Sequence, residues 1–245
     1  MTGIEIYKHL PKTNCKECGF PTCLAFAMKV AQKQADISLC PYLSEESKKI
    51  LEAAARPPIM LVSIGKNRKI EVGNETELFR HERTFYHPPG LVIRIKDTQP
   101  IDEVIPLVKQ ITDYNIERVG LKLSLDGFTL ANDSKNAESF IKLVEAVNGN
   151  TDLPLILMST EPAIMNSALE KVAQDKPLIY AANRDNWQDM AQLAVNHQCP
   201  LTVSEPRGLS QLSELVELVK QKGVEHIVLD PGNLGFSNSV DTLTQ

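Results

Sequence analysis

The sequence lacks several features that would place a protein in a functional class at once. No apolar run approaches the length of a membrane-spanning helix, and the longest, such as Leu153–Met158, are short. The amino terminus, Met1–Lys8, has neither the apolar core nor the small-residue cleavage site of an export signal. Acidic residues outnumber basic ones, 31 to 26, and no lysine or arginine run offsets the net charge of −5. We therefore expect a cytoplasmic protein that binds neither membranes nor nucleic acid.

Cysteine is also scarce, but four of the five cysteines are clustered near the amino terminus. Cys15, Cys18, Cys23 and Cys40 follow the spacing C-x2-C-x4-C-x16-C, and a proline follows the last of them. Disulfides need an oxidising compartment, which nothing in the sequence indicates. Structural zinc usually takes its ligands in two close pairs, whereas Cys40 has no second ligand near it. Three close cysteines and a remote Cys-Pro are typical of a 4Fe-4S cluster, which is the favoured of the three interpretations.

The residues around the cysteines support a cluster-binding loop. Thr22 is predicted to cap a helix that begins at Cys23, where the helix dipole favours a thiolate. The apolar residues of this helix that recur with helical period are Leu24, Ala27, Met28 and Ala31. The side chains available as apolar cover, which keeps water from a cluster, are Phe20, Leu24, Phe26 and Met28. A site of this kind performs one-electron chemistry.

The chain is predicted to divide after a second helix, Ser44–Ala55. Arg56-Pro57-Pro58 follows this helix, and two successive prolines end a helix and form a stiff connector. We therefore predict a small α-rich 4Fe-4S module over residues 1–58, including this linker, and a second domain over residues 59–245. The second domain begins with two strand-like runs, 59–64 and 69–72, which indicate a hairpin.

From residue 91 onward, strand-like and helical patterns alternate. The predicted strands are 91–95, 118–123, 155–158, 178–180, 201–203 and 226–229, and the predicted helices lie near 101–113, 134–147, 162–174, 186–197 and 208–222. This alternation predicts an α/β protein with a parallel sheet, and the short repeat favours a TIM (β/α)8-type barrel over a doubly wound sheet. About six β/α units are counted, so we expect an incomplete barrel and a truncated chain.

Polar residues follow several of the predicted strands, which is where barrels place ligand-binding groups. They are Asp126-Gly127, Ser159–Glu161, Asn183–Asp185, Ser204-Glu205 and Asp230–Gly232. Among them, Asn183 and Asp230 form a candidate pterin-binding rim, although any barrel rim is polar. The rim is therefore one hypothesis beside a purely structural interpretation.

Two other groups of residues are expected to be structural. His81 and His87, which lie among Arg80, Arg83 and Tyr86, are expected to pack at the barrel floor rather than to bind a metal. Cys199, alone before Pro200, is expected to be a buried small residue rather than a nucleophile.

Two segments carry a resemblance to a known family. The first is Ile4–Met28, with Asn-Cys-Lys-Glu-Cys-Gly-Phe-Pro-Thr-Cys at its centre, and the second is Asn74–His81 followed by Thr84–His87. They resemble the large (gamma) subunit of the corrinoid iron-sulfur protein of the acetyl-CoA decarbonylase/synthase complex, and the similarity extends over the entire chain. That family continues into a C-terminal corrinoid-binding domain, whereas this sequence ends within the barrel and contains no Asp-x-His-x-x-Gly segment.

The resemblance implies a methyl carrier. In that family a corrinoid cobalt takes a methyl group from methyl-tetrahydrofolate or a methyl-tetrahydropterin and passes it to acetyl-CoA synthase. The resemblance assigns Cys15, Cys18, Cys23 and Cys40 to the 4Fe-4S cluster that serves reductive activation of the cobalt. Implied partners are the small (delta) subunit, the pterin methyltransferase and acetyl-CoA synthase/CO dehydrogenase.

The resemblance also limits what this chain does alone. It implies a methyltransferase component that is not catalytically complete, and no catalytic residue is assigned. Two alternatives stay open: an electron-transfer iron-sulfur protein of another redox complex, and a pterin-binding methyltransferase.

Overall fold

The structure is a computed structural model that describes residues 2–32, 34–55, 59–74, 87–232 and 235. It divides into two compact units, Met1–Met60 and Leu61–Gln245. In the part of the chain described, no helix is long and apolar enough to cross a membrane. The features of the sequence that lie outside the described residues are the connector Arg56-Pro57-Pro58, the segment 75–86 with His81, and residues 236–245.

The first unit consists of short helices around a small apolar core. Its elements are α1 (Gly3–His9), α2 (Cys23–Ala31), a 3-10 turn (Ile37–Leu39) and α3 (Glu45–Ala55). Thr2 and Glu5 begin α1 with a reciprocal capping box, in which the Thr2 N–H donates to Glu5 Oε2 at 2.7 Å. The core is formed by Ile6, Leu10, Cys23, Phe26, Ala27, Ile37, Cys40 and Leu51.

Helix α2 begins where the sequence predicts, but it buries a different face. Thr22 caps it, accepting a hydrogen bond from the Ala25 N–H at 3.1 Å, as expected. Leu24 and Met28, expected as apolar cover, are 45% and 47% exposed. The buried residues of this helix are Cys23, Phe26 and Ala27. The predicted helical period was correct. The buried face is centred on Cys23, Phe26 and Ala27, so Leu24 and Met28, which lie beside it on the helix, are turned toward solvent.

The second unit is built on six parallel strands with helices packed against them. The elements are β1 (Val62–Ile64), β2 (Ile70–Val72), β3 (Val92–Lys96), α4 (Ile101–Thr112), β4 (Asn115–Arg118), β5 (Leu121–Ser124), β6 (Gly127–Ala131), α5 (Ala137–Asn148), β7 (Leu155–Met158), α6 (Pro162–Val172), β8 (Leu178–Ala182), α7 (Trp187–His197), β9 (Leu201–Ser204), α8 (Leu209–Gln221) and β10 (Ile227–Asp230). The strand order is β3-β6-β7-β8-β9-β10, all parallel.

This order identifies the type of α/β fold. Each strand of the sheet pairs with the next one along the chain, without the reversal that marks a doubly wound sheet. The described strands therefore form part of a (β/α)8-type barrel, as predicted. Helices α4 to α8 bury their apolar stripes against one face of the sheet, which supplies residues such as Phe128, Leu157 and Ile179 to the main core.

One predicted strand does not belong to the sheet. Residues 118–123, expected to be the second barrel strand, instead contribute to the antiparallel hairpin β4–β5. The second barrel strand is β6, whose five residues are all buried. Asp126 therefore precedes a strand rather than follows one, and its carboxylate accepts a hydrogen bond from the Leu91 N–H at 2.7 Å near the amino end of β3. The expectation that Asp126 lies at the ligand-binding rim was wrong.

The face of the sheet opposite the helices is apolar at the amino ends of the strands and polar at their carboxyl ends. Side chains alternate along a strand, so Val92, Leu178 and Val228 share this face with residues two positions later. At the amino ends the hairpin β1–β2 packs on it, with Val62, Ile64 and Ile70 in a cluster that includes Leu178. At the carboxyl ends the same face presents Arg94, Tyr180 and Asp230 instead. The barrel interior is thus apolar and covered at its floor and polar at its mouth.

Candidate metal centre and barrel mouth

The first three cysteines lie in a tightly curled loop between α1 and α2. Lys12, Asn14, Lys16 and Gly19 all adopt positive φ angles, which turn the chain repeatedly over a short distance. The Gly19 N–H donates to the Lys16 carbonyl oxygen at 2.9 Å, and the Cys23 N–H donates to Asn14 Oδ1 at 2.8 Å. These bonds fold the loop back so that its beginning and end meet on either side of Cys15 and Cys18.

The fourth cysteine is brought to this loop by a separate segment. Cys40 follows the 3-10 turn, which Asp36 caps by accepting a hydrogen bond from the Ser38 N–H at 2.8 Å. Two residues after Cys40, the Tyr42 hydroxyl donates to Glu17 Oε1 at 2.8 Å. Because Glu17 stands between Cys15 and Cys18, this bond ties the Cys40 segment to the first pair of cysteines. No local sequence pattern indicates this role of Tyr42.

The four thiols differ in exposure and influence one another. Cys23 and Cys40 are buried in the core of the unit, Cys18 is half-buried and Cys15 is exposed. Burial raises the pKa of the Cys40 thiol, and the proximity of Cys18, Cys23 and Cys15 raises it further. Cys23 and Cys40 belong to the same buried core, and Cys18 packs against it. The negative charges of neighbouring thiolates repel one another, and a metal bound to the deprotonated thiols would offset this repulsion.

The residue types gathered here, four thiols with aromatic side chains in the core beside them, suit an iron-sulfur cluster. Among the described residues, no three His, Cys, Asp or Glu side chains are placed to hold one metal ion together. A zinc ion needs four ligands at about 2.3 Å from one point, whereas a cubane takes one thiolate on each iron and so accepts sulfurs that stand wider apart. Phe26 lies in the core behind the cysteines, with its ring centroid 5.5 Å from that of Phe20.

The barrel mouth holds a second polar site, centred on Asp230. Its Oδ2 accepts hydrogen bonds from the Tyr180 hydroxyl and, at 3.0 Å, from the Ser204 hydroxyl, while Oδ1 accepts from the Gly232 N–H at 2.8 Å. Burial, followed by the bond to Asp230, raises the pKa of Tyr180 to about 12. Tyr180 therefore remains a donor at all ordinary pH values.

The two residues of the candidate pterin rim both lie at the carboxyl ends of strands, Asn183 directly after β8 and Asp230 at the end of β10. Asn183 Oδ1 accepts hydrogen bonds from the Asp185 and Asn186 N–H groups, at 2.9 and 3.1 Å, and so shapes the loop before α7. Asn183 and Asp230 share no hydrogen-bonding partner in the described part of the chain. Sequence reasoning missed Asn132 and Asp133, which follow β6. Asp133 pairs with Arg94 at 2.7 Å and Lys96 at 3.0 Å.

Glu205, at the end of β9, is the most strongly held carboxylate of the mouth. Its side chain is 4% exposed and accepts hydrogen bonds from Arg207 Nη2 at 2.7 Å and Arg184 Nε at 3.0 Å. The Arg207 guanidinium, assisted by its backbone N–H and by Arg184, lowers the pKa of Glu205 to about 2. The group is therefore an anchor for two arginines rather than a proton donor.

The ion pairs of Glu205 predict how the stability of the fold depends on pH. We expect Glu205→Gln to lower the thermal midpoint of unfolding at pH 7, because it removes the buried negative charge that pairs with Arg184 and Arg207. Since the pKa is about 2 in the folded protein and ordinarily 4.5, the contribution is present above pH 5 and lost as the pH falls toward 2. Melting curves at several pH values should show the difference from wild type shrinking over that interval. The control is Glu214→Gln, since Glu214 is 70% exposed and pairs with Arg184 at 3.3 Å. A pH-independent loss in Glu205→Gln would contradict the assignment.

Cys199 lies in the barrel unit, shortly before β9. It is 4% exposed, and burial raises the pKa of its thiol to about 11. This confirms that Cys199 is a buried small residue, and the raised pKa disfavours the thiolate form that a nucleophile requires.

Comparison with known proteins places both units in characterised families. A family model described as "CO dehydrogenase/acetyl-CoA synthase delta subunit" matches residues 61–245. A second model, described as "Putative Fe-S cluster", matches residues 10–42, which include all four clustered cysteines.

Curated relatives match the chain from end to end. The corrinoid/iron-sulfur protein large subunit of Moorella thermoacetica is 41% identical over 100% of this chain and 55% of the relative. Subunit gamma of the acetyl-CoA decarbonylase/synthase complex of Methanothermobacter thermautotrophicus is 35% identical over 99% of the chain and 53% of the relative. Subunit gamma 1 of that complex from Methanosarcina thermophila is 39% identical over 98% and 53%. The chain spans about half the length of the curated relatives it matches.

Proposed function

The chain belongs to the family described as CO dehydrogenase/acetyl-CoA synthase delta subunit, and from this premise we propose that it forms the iron-sulfur part of a corrinoid methyl carrier. The observation that carries the proposal is the cysteine arrangement. One loop supplies Cys15, Cys18 and Cys23, and a separate segment places Cys40 in the same buried core as Cys23, with Cys18 packed against it. The relatives that share this segment are named as large or gamma subunits.

We assign Cys15, Cys18, Cys23 and Cys40 as the ligands of one 4Fe-4S cluster. When bound, such a cluster supplies one-electron transfer. The chain's own residues hold the site together: Asn14 fixes the start of α2, Glu17 and Tyr42 join the two ligand segments, and Phe26 closes the inner side. Cys23 and Cys40 face the core, so the exposed Cys15 marks the side nearest to an external electron donor or acceptor.

The wider role extends beyond this chain's own site. We propose that the whole protein carries a methyl group on a corrinoid, from methyl-tetrahydrofolate or a methyl-tetrahydropterin to acetyl-CoA synthase, and that the cluster delivers the electron that restores oxidised cobalt. The proposed partners are the small (delta) subunit, the pterin methyltransferase and the CO dehydrogenase/acetyl-CoA synthase. Names of the relatives support this role, since they refer to a corrinoid and to that complex.

The metal content of anaerobically purified protein tests the proposal. We expect about four irons and four acid-labile sulfides per chain, because four thiolates complete one cubane. Dithionite should bleach the visible absorption of the cluster. One zinc per chain without labile sulfide would contradict the assignment.

A further inference from the structure

Glu17 lies at the tip of a tight turn within the cysteine loop. The Gly19 N–H donates to the Lys16 carbonyl oxygen at 2.9 Å, so Glu17 and Cys18 are the two central residues of this turn. Lys16 and Gly19 have φ angles of 66° and 83°, which turn the chain sharply on both sides of the pair. Glu17 is also the only carboxylate within the span of the first three proposed ligands. The turn therefore places a single negative charge next to Cys18 in the chain.

The Glu17 carboxylate is held by a residue from the segment of the fourth cysteine. Its Oε1 accepts a hydrogen bond from the Tyr42 hydroxyl at 2.8 Å, across 25 positions of the chain. Both residues are exposed, and an exposed glutamate otherwise samples several rotamers. A hydrogen bond made in contact with water contributes little to the stability of a fold. Its main effect here is to fix the position of the carboxylate.

The other acidic side chains described in the first unit have local structural roles. Glu5 completes the capping box of α1, and Asp36 caps the 3-10 turn. Glu45 and Glu46 lie in the first turn of α3, where the helix dipole favours negative charge. Glu17 lies between helices, in the cysteine loop. Helix capping therefore accounts for the other carboxylates but not for Glu17.

A carboxylate fixed beside a redox centre opposes the addition of an electron. The reduction potential of an iron-sulfur cluster depends on the net charge and on the hydrogen bonds and solvent around it. Like charges repel with an energy that decreases with distance and with the dielectric constant. A carboxylate that swings away into water therefore loses most of its influence, and one that is held in place keeps it. The reduced state is destabilised, so the cluster releases its electron more readily.

We propose that Glu17 lowers the reduction potential of the cluster and that Tyr42 is the positioning residue that holds the Glu17 carboxylate in place. The proposal rests on the proposed function, in which the cluster delivers an electron to oxidised cobalt. A donor in that role has to release its electron readily, and a lower potential serves this. The hydrogen bond between Tyr42 and Glu17 thus joins the two ligand segments and also sets the charge beside the first pair of cysteines.

Spectroelectrochemical titration of the anaerobically purified full chain tests the proposal. Glu17→Gln removes the charge but keeps an oxygen that accepts the Tyr42 hydrogen bond. We expect it to favour the reduced cluster by about threefold, a rise of about 28 mV for one electron. Tyr42→Phe frees the carboxylate without removing it, so its shift should have the same sign and be smaller. The matched control is Glu46→Gln, which removes an exposed charge from α3, a helix without cysteine, and should keep the wild-type potential.

Iron and acid-labile sulfide, measured on the same samples, separate this proposal from the proposed function. A wild type without iron and labile sulfide would contradict the proposed function itself. With the cluster present, a wild-type potential in Glu17→Gln would overturn the proposal, even if that variant loses iron, because the contact would then be structural only. A wild-type potential in Tyr42→Phe beside a raised one in Glu17→Gln would overturn the positioning role of Tyr42.

Discussion

Replacement of Cys40 by serine is expected to remove most of the iron from the protein. A serine hydroxyl is a poorer ligand for iron than a thiolate, and Cys40 is the only cysteine of its segment among the proposed ligands. Because Cys40 also lies in the apolar core of the first unit, water that enters through the weakened corner would reach the rest of the cluster. We expect about four irons per chain in the wild type and less than about one in Cys40→Ser after gel filtration under anaerobic conditions.

Cys199→Ser is the matched control for this experiment. Both cysteines are buried and both changes replace sulfur by oxygen, but Cys199 lies in the barrel unit, where its thiol faces the carbonyl oxygens of His197 and Ala173. Its iron content should equal that of the wild type. Equal losses of iron in the two variants, or full retention in Cys40→Ser, would show that the ligand assignment is wrong.

Removal of iron should unfold the first unit while the second remains folded. Among the described residues of the first unit, eight form the buried core, and two of them, Cys23 and Cys40, are proposed ligands. A unit of this size has a marginal apolar core, and structural metals contribute on the order of 10 kcal/mol to the folding of small domains. Without metal, the two cysteine segments lose their proposed shared coordination, and the exposed hydrogen bond between Tyr42 and Glu17 remains between them. We therefore expect the metal to decide whether this unit folds.

Hydrogen exchange on the full chain measures this effect in both units at once. After anaerobic chelation, amides of α1 and α2 should exchange at rates near those of an unstructured peptide, a loss of protection of about a hundredfold or more. Amides of β6, β7 and β8 serve as the internal control and should keep their protection. Retained protection of α1 and α2 in a sample shown to be free of iron would contradict the prediction.

The sequence predicted most of the barrel because its local signals were consistent. Five of the six strands and all five helices of the barrel lie where alternating patterns indicated, helped by buried runs such as Leu155–Met158. The exception, 118–123, shows the limit of such patterns. Apolar residues that alternate with polar ones fit an exposed hairpin as well as a barrel strand, and only the tertiary structure decides between them. Because this strand was predicted at the wrong position, Asp126 was assigned to the wrong end of the barrel. For the same reason Asp133, which follows the true strand β6, was not recognised as a residue of the mouth.

The candidate sites were predictable to different degrees for a related reason. Cysteine clustering is a property of the sequence itself, so the four proposed ligands could be listed at once. The bond between Tyr42 and Glu17 and that between Tyr180 and Asp230 join residues from separate segments, and no local pattern marks them. Exposure of Leu24 likewise depends on which side of α2 meets α1, which the helical period alone leaves open.

The covered floor of the barrel has a consequence for the order of folding. The hairpin β1–β2 contacts Leu178 and Val228, which lie far along the chain from it. Closing long loops is entropically costly, and proteins with many such contacts fold slowly, whereas neighbouring β/α units need only short loops. We therefore expect the sheet to assemble first and the hairpin to settle on it late. Residues 62–72 leave the ribosome before the strands they cover, so for this hairpin the order of synthesis and the order of assembly run in opposite directions.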